Sequence, residues 1–103
     1  MELTCTHLDD GGCELQPEGA LTIMDVAALR DQFALALVTA SGVVRVDLSR
    51  ITDIDSSGLQ LLLALVAEGE RVVLHSPSPA ACNRISRFGL IGALRLEGGC
   101  DGA

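Results

Sequence analysis

Apolar and polar positions follow a legible order along this chain. Residues 1–8 and 13–18 read as two short strands around "DDGG", where Asp10 followed by Gly11 signals a turn. After "EGALT" the period lengthens. Val26, Leu29, Phe33 and Leu37 recur at helical spacing, while Arg30, Asp31 and Gln32 take the other side. This predicts a one-sided helix lying on a sheet. Thr22 is placed to cap it, with Asp25 three residues on, and Gly42 suits its C-terminal stop.

"VVRVDLS" (43–49) alternates, with Val44, Val46 and Leu48 on one face and Val43, Arg45 and Asp47 on the other. A second helix is predicted over 56–68, with Leu59, Leu62, Leu63 and Val66 as its core stripe. A strand over 71–75 follows. That strand–helix–strand unit needs a crossover, so its strands should be parallel. In "SPSPAACNRISRFGL", Ser78 is a natural cap, Pro79 suits the first helical position and Gly89 the stop. Ala81, Ile85 and Phe88 form the predicted buried side of this third helix. "ALRLE" (93–97) reads as a last edge strand, and the tail "GGCDGA" as frayed. No repeat or linker interrupts residues 1–103, which are read as one domain.

Composition narrows the function classes. Apolar residues make up 49% of the 103, yet there are two Phe and no Trp or Tyr, so Leu, Val, Ile and Ala must build the core. Net charge is −7 and there is no lysine. Nucleic acid is therefore an unsuitable partner, because phosphate backbones select clustered Lys and Arg. The N-terminus lacks a basic region followed by an apolar stretch, and the longest apolar run, "LLLALVA", is far short of the ~20 residues that span a bilayer. The expectation is a cytoplasmic protein without membrane insertion. Cys5, Cys13, Cys82 and Cys100 fit no metal spacing, and His7 and His75 are isolated. Free thiols are expected, with no metal and no cofactor.

One stretch stands apart. "DIDSSGL" (53–59) lies between an apparent strand and a leucine-rich helix, at the carboxyl end of a strand, where ligands gather in open α/β sheets. Asp-Ser-Ser before a helix is first of all a good cap, supplied by Asp55 or Ser56. The exposed N–H groups of a helix start also welcome an anion. Gly58 in the first turn costs ~1 kcal/mol against Ala. Close approach by another backbone or a ligand would justify it. A nucleophilic serine would need a base and an oxyanion hole, and neither histidine can be placed beside Ser56. GxSxG, GxxxxGK[ST] and GxGxxG are all missing.

The wider pattern carries a resemblance. "VDLSRITDIDSSGLQLLLAL" followed by "RVVLHSPSPAACNRISRFGL" resembles the STAS domain of bacterial anti-sigma-factor antagonists, through Asp47, Leu48, Ser49, Asp55, Ser56, Ser57, Gly58 and Leu59, and later Pro79, Gly89 and Leu90. The likeness covers roughly residues 13–97. It implies an α/β fold with a small mixed sheet of four to five strands and three helices packed mainly on one face. It also implies a non-enzymatic partner switch. In that family the unphosphorylated antagonist binds an anti-sigma factor that is itself a serine kinase, the kinase phosphorylates the serine after the motif Asp, and a phosphatase reverses the change. That serine corresponds to Ser56, with Ser57 as second choice.

Around it, Asp53, Asp55, Ser57 and Gly58 are the implied contact residues, Gly58 giving clearance for a partner. Leu61 and Leu65, off the main stripe of the second helix, would extend the contact as an apolar surface or else belong to the core. Two departures from the family pattern bear on the partner. Ala20 and Thr22 stand in "LQPEGALT" at usually acidic positions, and the chain stops soon after the last strand. The alternative is a STAS scaffold or accessory subunit of a chemosensory or lipid-transport ATPase complex, working without phosphorylation.

Overall fold

The computed structural model describes residues 1–100. Strand β1 (Glu2–His7) and strand β2 (Cys13–Leu21) form an antiparallel hairpin, and helix α1 (Ile23–Thr39) follows. Then come β3 (Val44–Asp47), β4 (Ile51–Ile54), α2 (Ser56–Val66), a 3-10 turn at Gly69–Arg71, β5 (Val72–His75), α3 (Pro79–Arg87) and α4 (Ile91–Leu94). The sheet is mixed, ordered β1-β2-β3-β5, with β4 also paired to β2. β3 and β5, joined through α2, are parallel, as the crossover requires.

The long β2 organises this sheet. Its first residues pair with β3, Cys13 to Val44 and Leu15 to Val46. Its last pair with β4, Gly19 to Ile51 and Leu21 to Ile54, across a register shift. Pro17 lies at the step between the two partners, where neither strand needs its missing N–H. β2 runs past the end predicted at residue 18, and β4 has no counterpart among the predicted strands. "ITDI" is only four residues long, and its two middle positions are exposed, so its pattern does not alternate.

The predicted face of β3 is borne out. Val44, Val46 and Leu48 are buried. On the opposite face polar groups pair across strands: Gln16 Nε2 donates to Asp47 at 2.8 Å, His75 Nε2 lies 2.6 Å from Glu14, and Arg45 donates to Glu97 at 2.7 Å. α2 touches α1, α4, β4 and β5, and its leucines are enclosed on more than one side.

Three local expectations need correction. Phe88 is 53% exposed, because α3 ends at Arg87 and the chain leaves helical phase there. Gly89, at φ +69°, turns it, and the Leu90 N–H reaches back to the Ile85 carbonyl, the Schellman closure that a glycine here permits. Leu90 and Leu94 pack where Phe88 was expected. "ALRLE" is not a strand: α4 occupies 91–94, and only Glu97 bridges to His75. Gly42 does not cap α1, whose C-cap is Ala40; a Cβ there would lie 2.8 Å from the Gly12 nitrogen, so this glycine serves a backbone crossing. Arg71 instead satisfies the end of α1, donating to the carbonyls of Leu37 and Ala40.

None of the four cysteines is in a disulfide; Cys13 and Cys82 are buried and Cys5 is exposed. Of the tail expected to fray, residues 101–103 lie outside the described residues. Among the described residues no helix is long and apolar enough to cross a membrane, and no cluster of metal-ligating side chains occurs.

Candidate functional site

The parallel strands carry the chain to one edge of the sheet, where the starts of α1 and α2 meet. Leu21 ends β2, and Ile54 ends β4 beside it. One residue after each strand a helix begins, so two sets of unpaired N–H groups converge. Asp55 bonds one group from each set. Its Oδ1 accepts from the Gly58 N–H at 2.9 Å, and its Oδ2 from the Ile23 N–H at 2.9 Å. Its own N–H donates to the Leu21 carbonyl at 3.1 Å. Thr22 occupies the cap position of α1 but makes no side-chain cap bond. The expected local box from Thr22 and Asp25 is replaced by a carboxylate from 32 residues down the chain.

The N–H of Gly58, then that of Ile23, hold the Asp55 carboxyl below its ordinary range. Both bonds are made to the ionised form, which they favour. Asp53 lies on the outer side of the same turn. The guanidinium of Arg84, donating at 2.9 Å, and the Ile54 N–H lower its carboxyl too. This pair is exposed and ties α3 to the site more than it stabilises the fold.

Because Asp55 does the capping, Ser56 is released from it. Ser56 is the first residue of α2 and is exposed, while Ser57 is half-buried. Ser57 lines a groove of about 300 Å³ between α1 and α2, with Ile23, Ala27, Arg30, Gln60 and Leu61 around it. Thus Asp53, Asp55, Ser56 and Ser57 come together at one surface.

Gly58, Leu61 and Leu65 do not join that surface as expected. Gly58 is buried, and a Cβ on it would lie 2.4 Å from the Leu21 carbonyl oxygen and 2.8 Å from the Leu21 side chain. The clearance it provides is for the protein's own β2. Leu61 and Leu65 are 4% and 6% exposed, because α1 packs against α2. Leu61 reaches the groove only as its floor, and neither forms an exposed apolar surface.

The exposed apolar groups beside Ser56 are instead Ile23 and Met24, at 67% and 87%. They lie off the apolar stripe at 26, 29, 33 and 37, so helical periodicity does not mark them. The signal was available. "TIMD" puts two large apolar residues at a helix start, off that stripe.

Neither histidine reaches this edge. His7 pairs with Cys13, at the far end of the nine-residue β2. The His75 ring nitrogens face Ser76 and Glu14.

Comparison with known proteins agrees with the geometry. The family model described as "Mlab, STAS domain" matches residues 6–96. The unphosphorylated form of the anti-sigma factor antagonist SpoIIAA superposes with a TM-score of 0.67 at 23% identity, covering 86% of this chain and 82% of that one. The phosphorylated form of the Bacillus cell fate determinant SpoIIAA gives 0.62 at 23% identity, covering 86% and 85%. No curated protein matches at a significant level. The fold expected from the sequence, a small mixed sheet with helices mainly on one face, is the fold of those structures.

Proposed function

The chain belongs to the STAS domain family, and from that membership we propose that it is a non-enzymatic partner-switching module with Ser56 as phosphoacceptor. The observation that carries this reading is the division of labour in the motif. Asp55 takes one free N–H from each helix start, and the Ser56 hydroxyl is left exposed at the surface where Asp53, Ser57, Ile23 and Met24 gather. The partner would be an anti-sigma factor with serine kinase activity, opposed by a phosphatase, in the cytoplasm. It would dock with Ile23 and Met24 as apolar anchors and with Asp53, Asp55 and Ser57 as the polar rim, a common interface arrangement.

Phosphorylation of Ser56 adds about −1.5 to −2 charges at neutral pH. The Gly58 and Ile23 N–H groups already serve Asp55, so the phosphate stands outward, beside the carboxylates of Asp53 and Asp55. Its effect falls on the docking surface more than on the fold. A partner that accepts this surface unmodified meets a desolvation and like-charge penalty once it is modified. The test is binding of the cognate kinase-type partner to wild type, Ser56→Ala and Ser56→Asp by calorimetry. Retained binding for Ser56→Ala and weakened binding for Ser56→Asp support the switch. Equal affinities for the two variants contradict it.

A second reading is a constitutive accessory subunit of a chemosensory or lipid-transport ATPase complex. It draws support from the family model itself, which is described as Mlab and not as an antagonist. Co-purification with an ATPase or receptor-array protein, unchanged by Ser56→Ala or Ser56→Asp, would favour it over the switch.

A further inference from the structure

The base that Ser56 lacks stands beside another serine. Ser76 directly follows β5, and its hydroxyl oxygen lies 2.9 Å from His75 Nδ1. Nε2 of the same ring lies 2.6 Å from the Glu14 carboxylate on β2. An ionised carboxylate only accepts hydrogen bonds, so in the neutral ring Nε2 carries the hydrogen and Nδ1 is left as the acceptor. Nδ1 therefore meets the Ser76 hydroxyl as a base, and Glu14 fixes its tautomer. Carboxylate, imidazole and hydroxyl form a nucleophile array, with the two ring nitrogens exchanged relative to the usual serine triad. The array stands at the carboxyl end of a parallel strand, where ligands collect in open α/β sheets. Ser76 is exposed and lines a cavity of about 710 Å³ with Pro77, Pro79, Asn83 and Arg87. It also holds φ at +53°, a left-handed conformation that suits glycine and strains a serine, and such strain clusters at functional sites.

We propose that Ser76 is a covalent modification site, which takes an acyl group from a thioester on a phosphate-bearing carrier. The Ser76 oxygen bonds the carbonyl carbon while His75 Nδ1 accepts the hydroxyl proton, and Glu14 steadies the imidazolium. The carbon–sulfur bond breaks, the sulfur leaves with its electron pair and takes the proton from His75, and a serine ester remains. The three residues after Ser76 offer no free N–H to an oxyanion. Pro77 and Pro79 have none, and the Ser78 N–H donates to the Leu48 carbonyl at 3.1 Å. An activated thioester is attacked without that help, whereas the unactivated serine ester is not, so the mark persists and the product is a modified chain.

Charge in the cavity selects the carrier. Arg87 lines it and is in no ion pair among the described residues. Glu97 lines it too, but its carboxylate is already held by Arg45 at 2.7 Å. A guanidinium left over in this way suits the phosphates of a carrier.

The test incubates the full chain with acetyl-coenzyme A and follows acetylation by intact mass and site mapping. The chain has no lysine, so few other groups compete for the acetyl group. Ser76 should be acetylated at least about a hundredfold faster than Ser56, which is also exposed but has no base, as a positioned general base provides. His75→Gln should remove that advantage. Glu14→Gln should slow the reaction and Glu14→Asp should recover part of it. Ser76→Gly, which suits the left-handed backbone, should abolish the mark while thermal melting shows the fold retained. Arg87→Gln should slow transfer from acetyl-coenzyme A about tenfold and leave transfer from a short neutral acetyl thioester unchanged. Acetylation of Ser76 no faster than of Ser56 overturns the proposal, as does a rate indifferent to His75→Gln. Indifference to Arg87→Gln overturns the phosphate-bearing carrier, and acetate released beyond one per chain overturns the lasting mark.

Discussion

Two strand-to-helix turns, each at the carboxyl end of a parallel strand, use similar residues in opposite ways. Between β4 and α2 the chain reads Asp-Ser-Ser-Gly, and between β5 and α3 it reads Ser-Pro-Ser-Pro. In the second turn the capping serine is consumed. Ser78 is buried, its hydroxyl donates to the Ile51 carbonyl at 2.6 Å, and it accepts from the Ala81 N–H at 3.0 Å. In the first turn a carboxylate takes the cap, and the serine after it points to solvent. Whether a serine is structural or available thus depends on which neighbour satisfies the helix N–H groups. The residue type alone does not decide it.

The contrast is open to direct attack. The largest effect is expected beneath the first turn. Gly58→Ala forces a Cβ against the Leu21 backbone and should cost about 3 kcal/mol or more in urea unfolding, at the upper end of overpacking penalties. Next comes Ser78→Ala, which removes the cap and leaves a buried carbonyl unmet, for about 2 kcal/mol.

Asp55→Asn should lower Tm at neutral pH, because an amide has one accepting oxygen where the carboxylate uses two. It should also flatten the acid side of the stability profile. The Asp55 carboxyl is held below its ordinary value, so its contribution is complete above the unfolded range near ~4 and is lost as pH falls through the lower folded value. Thermal melts from about pH 5 to about pH 2 should show a shallower loss for Asp55→Asn than for wild type. Asp47, Asp53 and Glu97 shift in the same direction and keep part of the slope in both proteins.

Ser56→Asp should weaken partner binding about tenfold, equivalent to ~1.4 kcal/mol. The smallest effect is Ser56→Ala, within ~0.5 kcal/mol of wild-type stability, as for a surface position without a structural role. A Ser56→Ala cost that matched Ser78→Ala would erase the distinction between the two turns.

Much of this was legible in the sequence, and the misses share a cause. Helix caps at Asp55 and Ser78 and the stop at Gly89 depend on chemistry within a few residues, and they appear where expected. So do the faces of β3, set by simple alternation. What failed depended on neighbours distant in sequence. Thr22 looked like a cap, yet the Ile23 N–H is met by Asp55. Gly58 looked like clearance for a partner, yet the space is filled by Leu21. Leu61 and Leu65 lay off the stripe, and α1 covers them. Phe88 is the local exception: it kept the helical count but fell just past the helix end. The motif marks the site, and the exposed Ile23 and Met24 are brought to it by the fold, which sets the two helix starts side by side.

The central claim is that Ser56 is available and Ser78 is not. Incubation with the cognate serine kinase and ATP, followed by intact-mass measurement and site mapping, tests it most directly. The account predicts one added phosphate, on Ser56, with none on Ser78 and none on the Ser56→Ala variant. No phosphate on wild type, or a phosphate that maps elsewhere and persists in Ser56→Ala, would contradict it.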